Sequence, residues 1–345
     1  MLLDGIFVPL TTPFYRDGRL YVRKVEHNVD RFSKTPAAGM IALGGNSEAR
    51  GISDDETRET LHAVAQTAAR EKVLIAGVSR ESVRWSLAIA EAAASEGFDA
   101  ALAHAPSSCS AVEKLVYFRA LADASPLPII LSSGAGATAI SEAWVAELAR
   151  HPNVIGMVDA ALSLARYKAL IDSTADVARE VTVTQIFGAV TGRMRTAEST
   201  GPATFVSADT LGSGGSAVAV APPQPALKTR SKRVGFQMLA AGSVDMLPLL
   251  LAGATGAVPA LAACAPQACH EVYAAWKDGD PDLAAQKSLR IAEATKLLNE
   301  DLGIAGVKYA CDLNGYYGGA PRLPRLPLDG AARTRVEHAM REIRN

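Results

Sequence analysis

The 345-residue sequence lacks several features that mark particular classes of protein. It has only 4 cysteines, too few for a disulfide framework in a chain of this length. Basic and acidic side chains nearly cancel, 35 against 36, whereas nucleic-acid binders normally carry a basic excess. No basic segment followed by an apolar run stands at the N-terminus, as a signal peptide would require. These absences predict a reduced, cytoplasmic protein that binds no nucleic acid.

Long uncharged runs are also scarce, and one of them needs a membrane test. Met246–Ala265 has no charged residue, and about 20 apolar residues can span a bilayer. Pro248, Gly253, Gly256 and Pro259 interrupt the run, and no basic flank marks one end as the inner side. We therefore expect a buried helix, a tight glycine turn and a buried strand here, and no membrane association.

Short apolar runs alternate with segments of helical periodicity along most of the chain. The predicted strands are Ile6–Pro9, Met40–Leu43, Val73–Val78, Ala100–Ala105, Pro128–Ser132, Val154–Val158, Phe236–Ala240 and Ala257–Leu261. Clear helical patterns between them are Asp54–Arg70, Ser82–Glu96, Ala111–Ala124 and Glu142–His151. The strands are continuously apolar, as expected where helices cover both faces of a sheet. Eight strands, each followed by helical sequence, predict an α/β fold, the closed (β/α)8 TIM barrel.

The remaining sequence predicts a helical domain and an insertion. Residues 1–264 are expected to form the barrel, and residues 265–345 a C-terminal helical domain with helices over 265–278, 281–300 and 333–343. A polar segment rich in Gly, Ser, Thr and Ala, about 178–233, separates helix 6 from strand 7, with strand-like Val181–Ala189 and Ala203–Ala208 inside it. A plain connection needs only about 2–6 residues. This insertion should therefore lie at the N-terminal face, opposite the face where barrels place active sites.

The loop after the second strand has a composition suited to binding an anion. It reads Ala42-Leu-Gly-Gly-Asn-Ser-Glu48. Small residues expose backbone N–H groups that can hold a carboxylate, and Glu48 can anchor the loop. The predicted substrate-binding residues are Gly44, Gly45, Asn46, Ser47, His104 and Ser132.

Several motifs in order along the chain resemble the dihydrodipicolinate synthase / N-acetylneuraminate lyase family. They are Pro9-Leu-Thr-Thr-Pro-Phe14, His151-Pro-Asn-Val-Ile-Gly-Met-Val-Asp159, Phe236-Gln-Met-Leu-Ala-Ala-Gly242, Gly253-Ala-Thr-Gly-Ala-Val-Pro-Ala260, Gly303-Ile-Ala-Gly-Val-Lys308 and Gly315-Tyr-Tyr-Gly-Gly319. The last two motifs and the Phe236 segment look closest to the 4-hydroxy-2-oxoglutarate aldolase branch. The resemblance implies a (β/α)8 lyase, a homotetramer or homodimer, that takes a small carboxylate or 2-oxo acid and needs no cofactor or metal.

Members of that family form a Schiff base between a lysine on the sixth strand and a ketone, and a tyrosine at the end of the fifth strand relays protons. Here the family pattern G-[IM]-K-[DE] reads Gly156-Met-Val-Asp159, so Val158 stands at the lysine position. Ser132 stands at the tyrosine position, and its hydroxyl is shorter and much less acidic than a phenol. The two threonines of the family's G-T-T-G-E loop match Gly45 and Asn46. No catalytic residue is therefore assigned at the inherited positions.

Other groups are poor substitutes for the missing amine. Lys168 belongs to the outer helix layer, Lys308 to the C-terminal domain, and Lys228 and Lys232 to the insertion. A metal-dependent reaction would need His104, Glu48, Asp159 and His151 to converge at the barrel mouth. The sequence has no His-x-His or His-x-x-x-His pair, which metal sites with two histidines often show.

Two hypotheses follow from these residues. The first is a diverged lyase that acts on a small 2-oxo acid or related carbonyl compound, and Val158 argues against Schiff-base chemistry in it. The alternative is a non-catalytic descendant that binds a small acid or serves as a partner subunit, since amine and phenol are lost together. A fold alone does not decide between them, because function depends on the site.

Overall fold

A computed structural model describes residues 1–134, 136–161, 163–199, 227–241 and 246–343 of the chain. Eight parallel strands of these residues close into a barrel, which confirms the predicted fold. In chain order they are β1 (Gly5–Pro9), β2 (Gly39–Ala42), β3 (Val73–Gly77), β4 (Ala100–Ala103), β5 (Ile129–Ser133), β6 (Val154–Asp159), β9 (Gln237–Ala241) and β10 (Gly256–Val258). They are hydrogen-bonded in the order β1-β10-β9-β6-β5-β4-β3-β2. Strands β7 (Arg179–Thr184) and β8 (Thr229–Val234) belong to the insertion.

Helices surround the barrel and form its C-terminal extension. Their bounds are α1 (Val22–Ser33), α2 (Asp54–Thr67), α3 (Val83–Glu96), α4 (Ala111–Ala124), α5 (Glu142–Ala149), α6 (Leu164–Ser173), α7 (Gly192–Ser199), α8 (Met246–Leu251), α9 (Pro266–Lys277), α10 (Pro281–Lys296), α11 (Gly303–Leu313) and α12 (Gly330–Ala339). A capping box begins α2: the Ser53 hydroxyl accepts from the Glu56 N–H, and the Glu56 carboxylate accepts from the Ser53 N–H. Local sequence thus determines where this helix starts.

The uncharged run forms the three short elements predicted for it. Helix α8 is followed by Gly253, whose φ of +105° suits glycine, and then by β10. Within the described ranges, none of the helices has both the length and the apolar character that a bilayer span requires.

Apolar side chains fill the interior of the barrel. The inward-facing cluster contains Leu3, Phe7, Ile41, Val73, Ile75, Ala100, Leu102, Ile130, Ile155, Val158, Leu239 and Val258. A second, larger cluster lies between the strands and the surrounding helices. Because the interior is closely filled, a ligand has access only at the ends of the barrel.

The insertion lies between α6 and β9, the seventh barrel strand, as predicted. Its strands β7 (Arg179–Thr184) and β8 (Thr229–Val234) pair antiparallel. Hydrogen bonds attach it to the loops that lead into barrel strands, namely Thr191 Oγ1 to Arg70 O, Gly192 N to Asp99 Oδ1 and Arg193 Nη1 to Ala68 O. The described part of the insertion, 178–199 and 227–233, therefore lies at the N-terminal face. The predicted strand Ala203–Ala208 lies outside the described residues.

The C-terminal helices agree with the sequence pattern except at one point. Helices α9, α10 and α12 correspond to the three predicted segments, whereas no helix was predicted over α11. Gly303 and Gly306 weaken the helical signal of that segment, and packing against the barrel overrides this weak propensity. The boundary between residues 264 and 265 stays a prediction.

Candidate active site at the barrel mouth

A cavity of about 320 Å³ opens at the C-terminal ends of β2 to β5. It is lined by Leu43, Gly44, Gly45, Glu48, Ala49, Arg50, Gly77, Ser79, Leu102, His104, Ser132 and Arg325. Larger clefts of about 440 Å³ lie between α10 and α12 and beside α7. They are away from the face that carries the chemistry of barrel enzymes, so the mouth cavity is the candidate active site.

The loop after β2 reaches the cavity through an unusual backbone path. Leu43 and Glu48 have φ values of 57° and 56°, in the left-handed region that costs a non-glycine residue of order 1–3 kcal/mol. The loop passes so close to β3 that a Cβ on Gly77 would lie 2.0 Å from the Leu43 carbonyl oxygen. Only glycine at position 77 permits this approach.

A buried ion pair holds the strained loop. Lys308 Nζ on α11 donates to Glu48 Oε1 at 2.6 Å, and both side chains are almost completely buried. The Arg322 N–H donates to Glu48 Oε2 at 3.0 Å, and Lys308 also donates to the Ala320 carbonyl. The predicted anchoring role of Glu48 is therefore confirmed. Burial lowers the pKa of Lys308, against the opposing effect of Glu48.

Three adjacent strands contribute one side chain each to a row, and two of these side chains, His104 and Ser132, line the cavity. His104 follows the end of β4, and the pairing of Ala103 with Leu131 puts it beside Ser132 on β5. Ser132 in turn is paired with Val158 on β6. Neighbouring strands are about 4.8 Å apart, so His104, Ser132 and Val158 form a continuous row.

Val158 faces the apolar interior of the barrel and is 6% exposed. Its neighbours there include Leu102, Ile130 and Leu239. Among the described residues that line the cavity there is no lysine. Lys168 is exposed on α6, and the ammonium group of Lys308 forms the buried ion pair with Glu48 described above.

His104 is the titratable side chain of the row and lies at its β4 end. Its backbone N–H donates to Ser79 Oγ at 2.8 Å, which fixes the strand end, while the imidazole faces the cavity. Burial lowers the pKa of His104, and the nearby Arg50 lowers it further, whereas Glu81 acts in the opposite direction. The imidazole is therefore neutral at neutral pH and can accept a proton.

The cavity has an excess of positive charge. Arg50 and Arg325 both line it, and Glu48 is the lining carboxylate. The charge of Glu48 is balanced by Lys308 behind it, while Arg325 Nη1 is 4.0 Å from Glu48 and its side chain is 56% exposed. The site is suited to a small carboxylate ligand.

The structure brings four of the six predicted binding residues to the cavity, namely Gly44, Gly45, His104 and Ser132. Asn46 instead donates to the carbonyls of Pro9 and Ala260, and the Ser47 hydroxyl donates to the Gly44 carbonyl. Binding by these six stays a prediction. Sequence reasoning missed Ser79, Arg50 and Arg325. Arg50 lies two residues after Glu48, the last residue of the recognised loop. No pattern in the sequence near Arg325 connects Arg325 to that loop.

The residues considered for a metal site lie apart. Asp159 faces away from the interior and pairs with Arg166 at 2.7 Å. His151 lies before β6, at the opposite end of the barrel, and its ring contacts Asp123 at 3.0 Å. In the part of the chain that the structure describes, no three His, Cys, Asp or Glu side chains are grouped as ion ligands. The geometry gives the metal hypothesis no support.

Comparison with known proteins agrees with this architecture. The model of the dihydrodipicolinate synthetase family matches residues 2–181 and 227–343, on both sides of the central part of the insertion. The 4-hydroxy-tetrahydrodipicolinate synthase of Acidiphilium cryptum is 25% identical over 343 residues, covering 98% of each chain. A protein of Emericella nidulans named "Probable 4-hydroxy-2-oxoglutarate aldolase, mitochondrial" is 32% identical over 166 residues, covering 45% of this chain and 54% of its own.

Solved structures share the fold over nearly the whole chain. The chloride-inhibited dihydrodipicolinate synthase of Acinetobacter baumannii, crystallised with pyruvate, has a TM-score of 0.77 and 23% identity, with 99% of each chain covered. Dihydrodipicolinate synthase DapA-2 of Bacillus anthracis has a TM-score of 0.78 and 19% identity, covering 100% of both chains. At these identities the likeness extends to the fold alone.

Proposed function

Since the chain belongs to the dihydrodipicolinate synthetase family, a family of class I aldolase-type lyases, we propose that it is a diverged lyase. In this proposal it binds a small 2-oxo acid or related carbonyl compound at the barrel mouth and acts on it without a Schiff base. The supporting observation is the row formed by His104, Ser132 and Val158, in which no side chain carries an amine. Schiff-base formation requires a nucleophilic amine beside the ketone.

The cavity supports a carboxylate as part of the ligand. Arg50 and Arg325 line it, and Gly44 and Gly45 bring the loop backbone to its wall. Backbone N–H groups in a turn and arginine side chains are both suited to carboxylates. The relative from Acinetobacter baumannii was crystallised with pyruvate, which makes pyruvate the first ligand to test.

The proposal also covers the branch of the family, the oligomeric state and the cellular location. The motifs around Phe236, Lys308 and Tyr316 favour the 4-hydroxy-2-oxoglutarate aldolase branch, and the partial match to the Emericella nidulans protein agrees with that branch. A homotetramer or homodimer and a cytoplasmic location are expected from the family resemblance. Sedimentation velocity of the full chain measures the assembly directly.

Borohydride reduction in the presence of pyruvate tests the proposed mechanism. We expect pyruvate to raise the Tm, because a ligand that binds only the folded state stabilises it. We also expect intact mass spectrometry to show no added pyruvyl unit after reduction. A stable adduct of one pyruvyl unit would contradict the proposal, since it would prove that some amine of the chain captures the ketone.

One observation favours a second candidate, a non-catalytic binding protein. Val158 and Ser132 stand together at the positions that the family resemblance gives to the lysine and tyrosine, so nucleophile and phenol are absent at once. This candidate predicts ligand-induced stabilisation without any chemical change in the ligand. The exchange experiment below distinguishes it from the lyase.

A further inference from the structure

We propose that His104 is the proton-transfer residue of the mouth cavity, removing a proton from the carbon beside the carbonyl of a bound 2-oxo acid and returning one to it. This inference rests on the proposed function and deepens it. It assigns an acid–base group to the residue that directly follows β4. In this site Ser132 on β5 and Val158 on β6 stand at the positions that the family resemblance gives to the tyrosine and the lysine.

The environment of His104 differs from that of the histidines with structural contacts. His62 bonds to Glu96 at 2.9 Å, His151 bonds to Asp123 at 3.0 Å, and His27 contacts the Gly315 carbonyl at 3.4 Å. Among the described residues, the His104 ring has no hydrogen-bond partner, although its backbone is fixed by Ser79. An imidazole that is held at its backbone and free at its ring nitrogens is positioned for a ligand.

The groups beside His104 suit the charge that proton removal creates. One ring nitrogen accepts the proton, and the electrons of the broken C–H bond form a carbon–carbon double bond to the former carbonyl carbon. The carbonyl π electrons move to the oxygen, which becomes an enolate. The neighbouring Ser132 hydroxyl is available to donate to that oxygen, and the cations Arg50 and Arg325 stabilise the negative charge. Return of a proton from the imidazolium to carbon completes the cycle without a cofactor or oxidant.

The charged groups around His104 keep its imidazole ready to accept a proton. Arg50 approaches from the β2 loop and Glu81 from the loop after β3, while Glu48 and Arg325 line the same cavity. Burial and Arg50 together outweigh Glu81, so the pKa of His104 is below its usual value of 6.5. Exchange catalysed by the neutral form is expected to rise with pH through this lowered pKa and to be level at pH 7 and above.

Exchange of the pyruvate methyl protons in D2O, followed by NMR with the full-length protein, tests the inference. We expect exchange above the buffer rate, and a loss of at least about 100-fold in His104→Gln, in the range that general acid–base groups contribute. His62→Gln is the matched control, because His62 lies on α2 and pairs with Glu96. Thermal unfolding verifies that each variant is folded.

Two additional measurements separate chemistry from a purely structural role. Added imidazole is expected to restore part of the exchange in His104→Ala, because the cavity left by the side chain admits the free base. The pH profile of the wild type is expected to show one inflection below 6.5 that is absent from His104→Gln. A role in packing alone would give neither result.

Failure of this inference is distinguishable from failure of the proposed function. If His104→Gln exchanges the pyruvate protons at the wild-type rate, the assignment of His104 is wrong and the lyase proposal stands. If pyruvate stabilises the wild type but its protons do not exchange, the assignment of His104 and the lyase proposal are both wrong, and the non-catalytic binding protein is favoured. If neither pyruvate nor a panel of larger 2-oxo acids changes the Tm, the proposed function itself is wrong, and the inference falls with it.

Discussion

The polar side chains at the two ends of the barrel differ in whether they form hydrogen bonds within the protein. At the N-terminal end, Lys72 donates to the Thr35 and Ala37 carbonyls, and the Asn153 amide donates to three backbone carbonyls. At the C-terminal mouth, by contrast, His104, Ser132 and Arg50 have no side-chain hydrogen bond within the described ranges.

This difference separates side chains that hold the fold from those available to a ligand. Buried polar groups are normally hydrogen-bonded, and a cation that donates to backbone carbonyls is held in place by the fold. The mouth has its own committed group, the Lys308–Glu48 pair, which supports the loop from behind the cavity. Residue type alone therefore does not identify a functional group, whereas its hydrogen-bond partners do.

The largest expected effect comes from removing Lys308, the buried cation that pairs with Glu48 behind the mouth cavity. Lys308→Met leaves Glu48 buried without its partner and should lower the free energy of unfolding by about 3–5 kcal/mol. Urea denaturation measures this change. Lys168→Met is the control, and since Lys168 is exposed on α6 it should change stability by no more than about 0.5 kcal/mol.

A double variant tests whether the lost stability belongs to the ion pair. Lys308→Met combined with Glu48→Gln removes both charges, so it should be more stable than Lys308→Met alone. Equal or lower stability of the double variant would show that the loss of stability does not come from the unpaired charge of Glu48, and the contrast between side chains that hold the fold and side chains available to a ligand would weaken.

At the N-terminal face, an arginine is expected to affect stability and not binding. Arg193 donates to the carbonyls of Ala68 and Lys72 and attaches the insertion to the barrel. Arg193→Ala should lower the free energy of unfolding by about 2 kcal/mol, because hydrogen bonds from charged donors are lost. Pyruvate affinity, measured by calorimetry, should not change. Weaker binding would mean that the insertion influences the mouth.

At the mouth, an arginine is expected to show the reverse behaviour. Arg50→Gln removes a cation that lines the cavity and should weaken pyruvate binding about tenfold, equivalent to about 1.4 kcal/mol. Stability should change by less than about 0.5 kcal/mol. The exposed Arg58 on α2 provides the matched control, and Arg58→Gln should bind pyruvate as the wild type does. Unchanged affinity in Arg50→Gln would show that another group holds the carboxylate.

Sequence reasoning was most successful where the signal is local. All eight barrel strands, the capping box at Ser53 and the break of the uncharged run at Gly253 follow from neighbouring residues. It was less successful for the cavity wall. Asn46 and Ser47 belong to the recognised loop, yet their side chains turn to backbone carbonyls. Asn46 donates to β1 and to the segment after β10, contacts that depend on the tertiary structure, whereas Ser47 donates to Gly44 within the loop.

The order and periodicity of apolar residues determined that this chain closes into a barrel, because each barrel strand is specified by residues close to it in sequence. The same is true of the side chains at the ends of β5 and β6, Ser132 and Val158, since strand alternation makes both face inward. Only the tertiary structure decided that Arg325 joins Arg50 at the cavity and that Lys308 pairs with Glu48. These partners are separated by more than 250 residues, and no local pattern encodes a contact that only barrel closure creates.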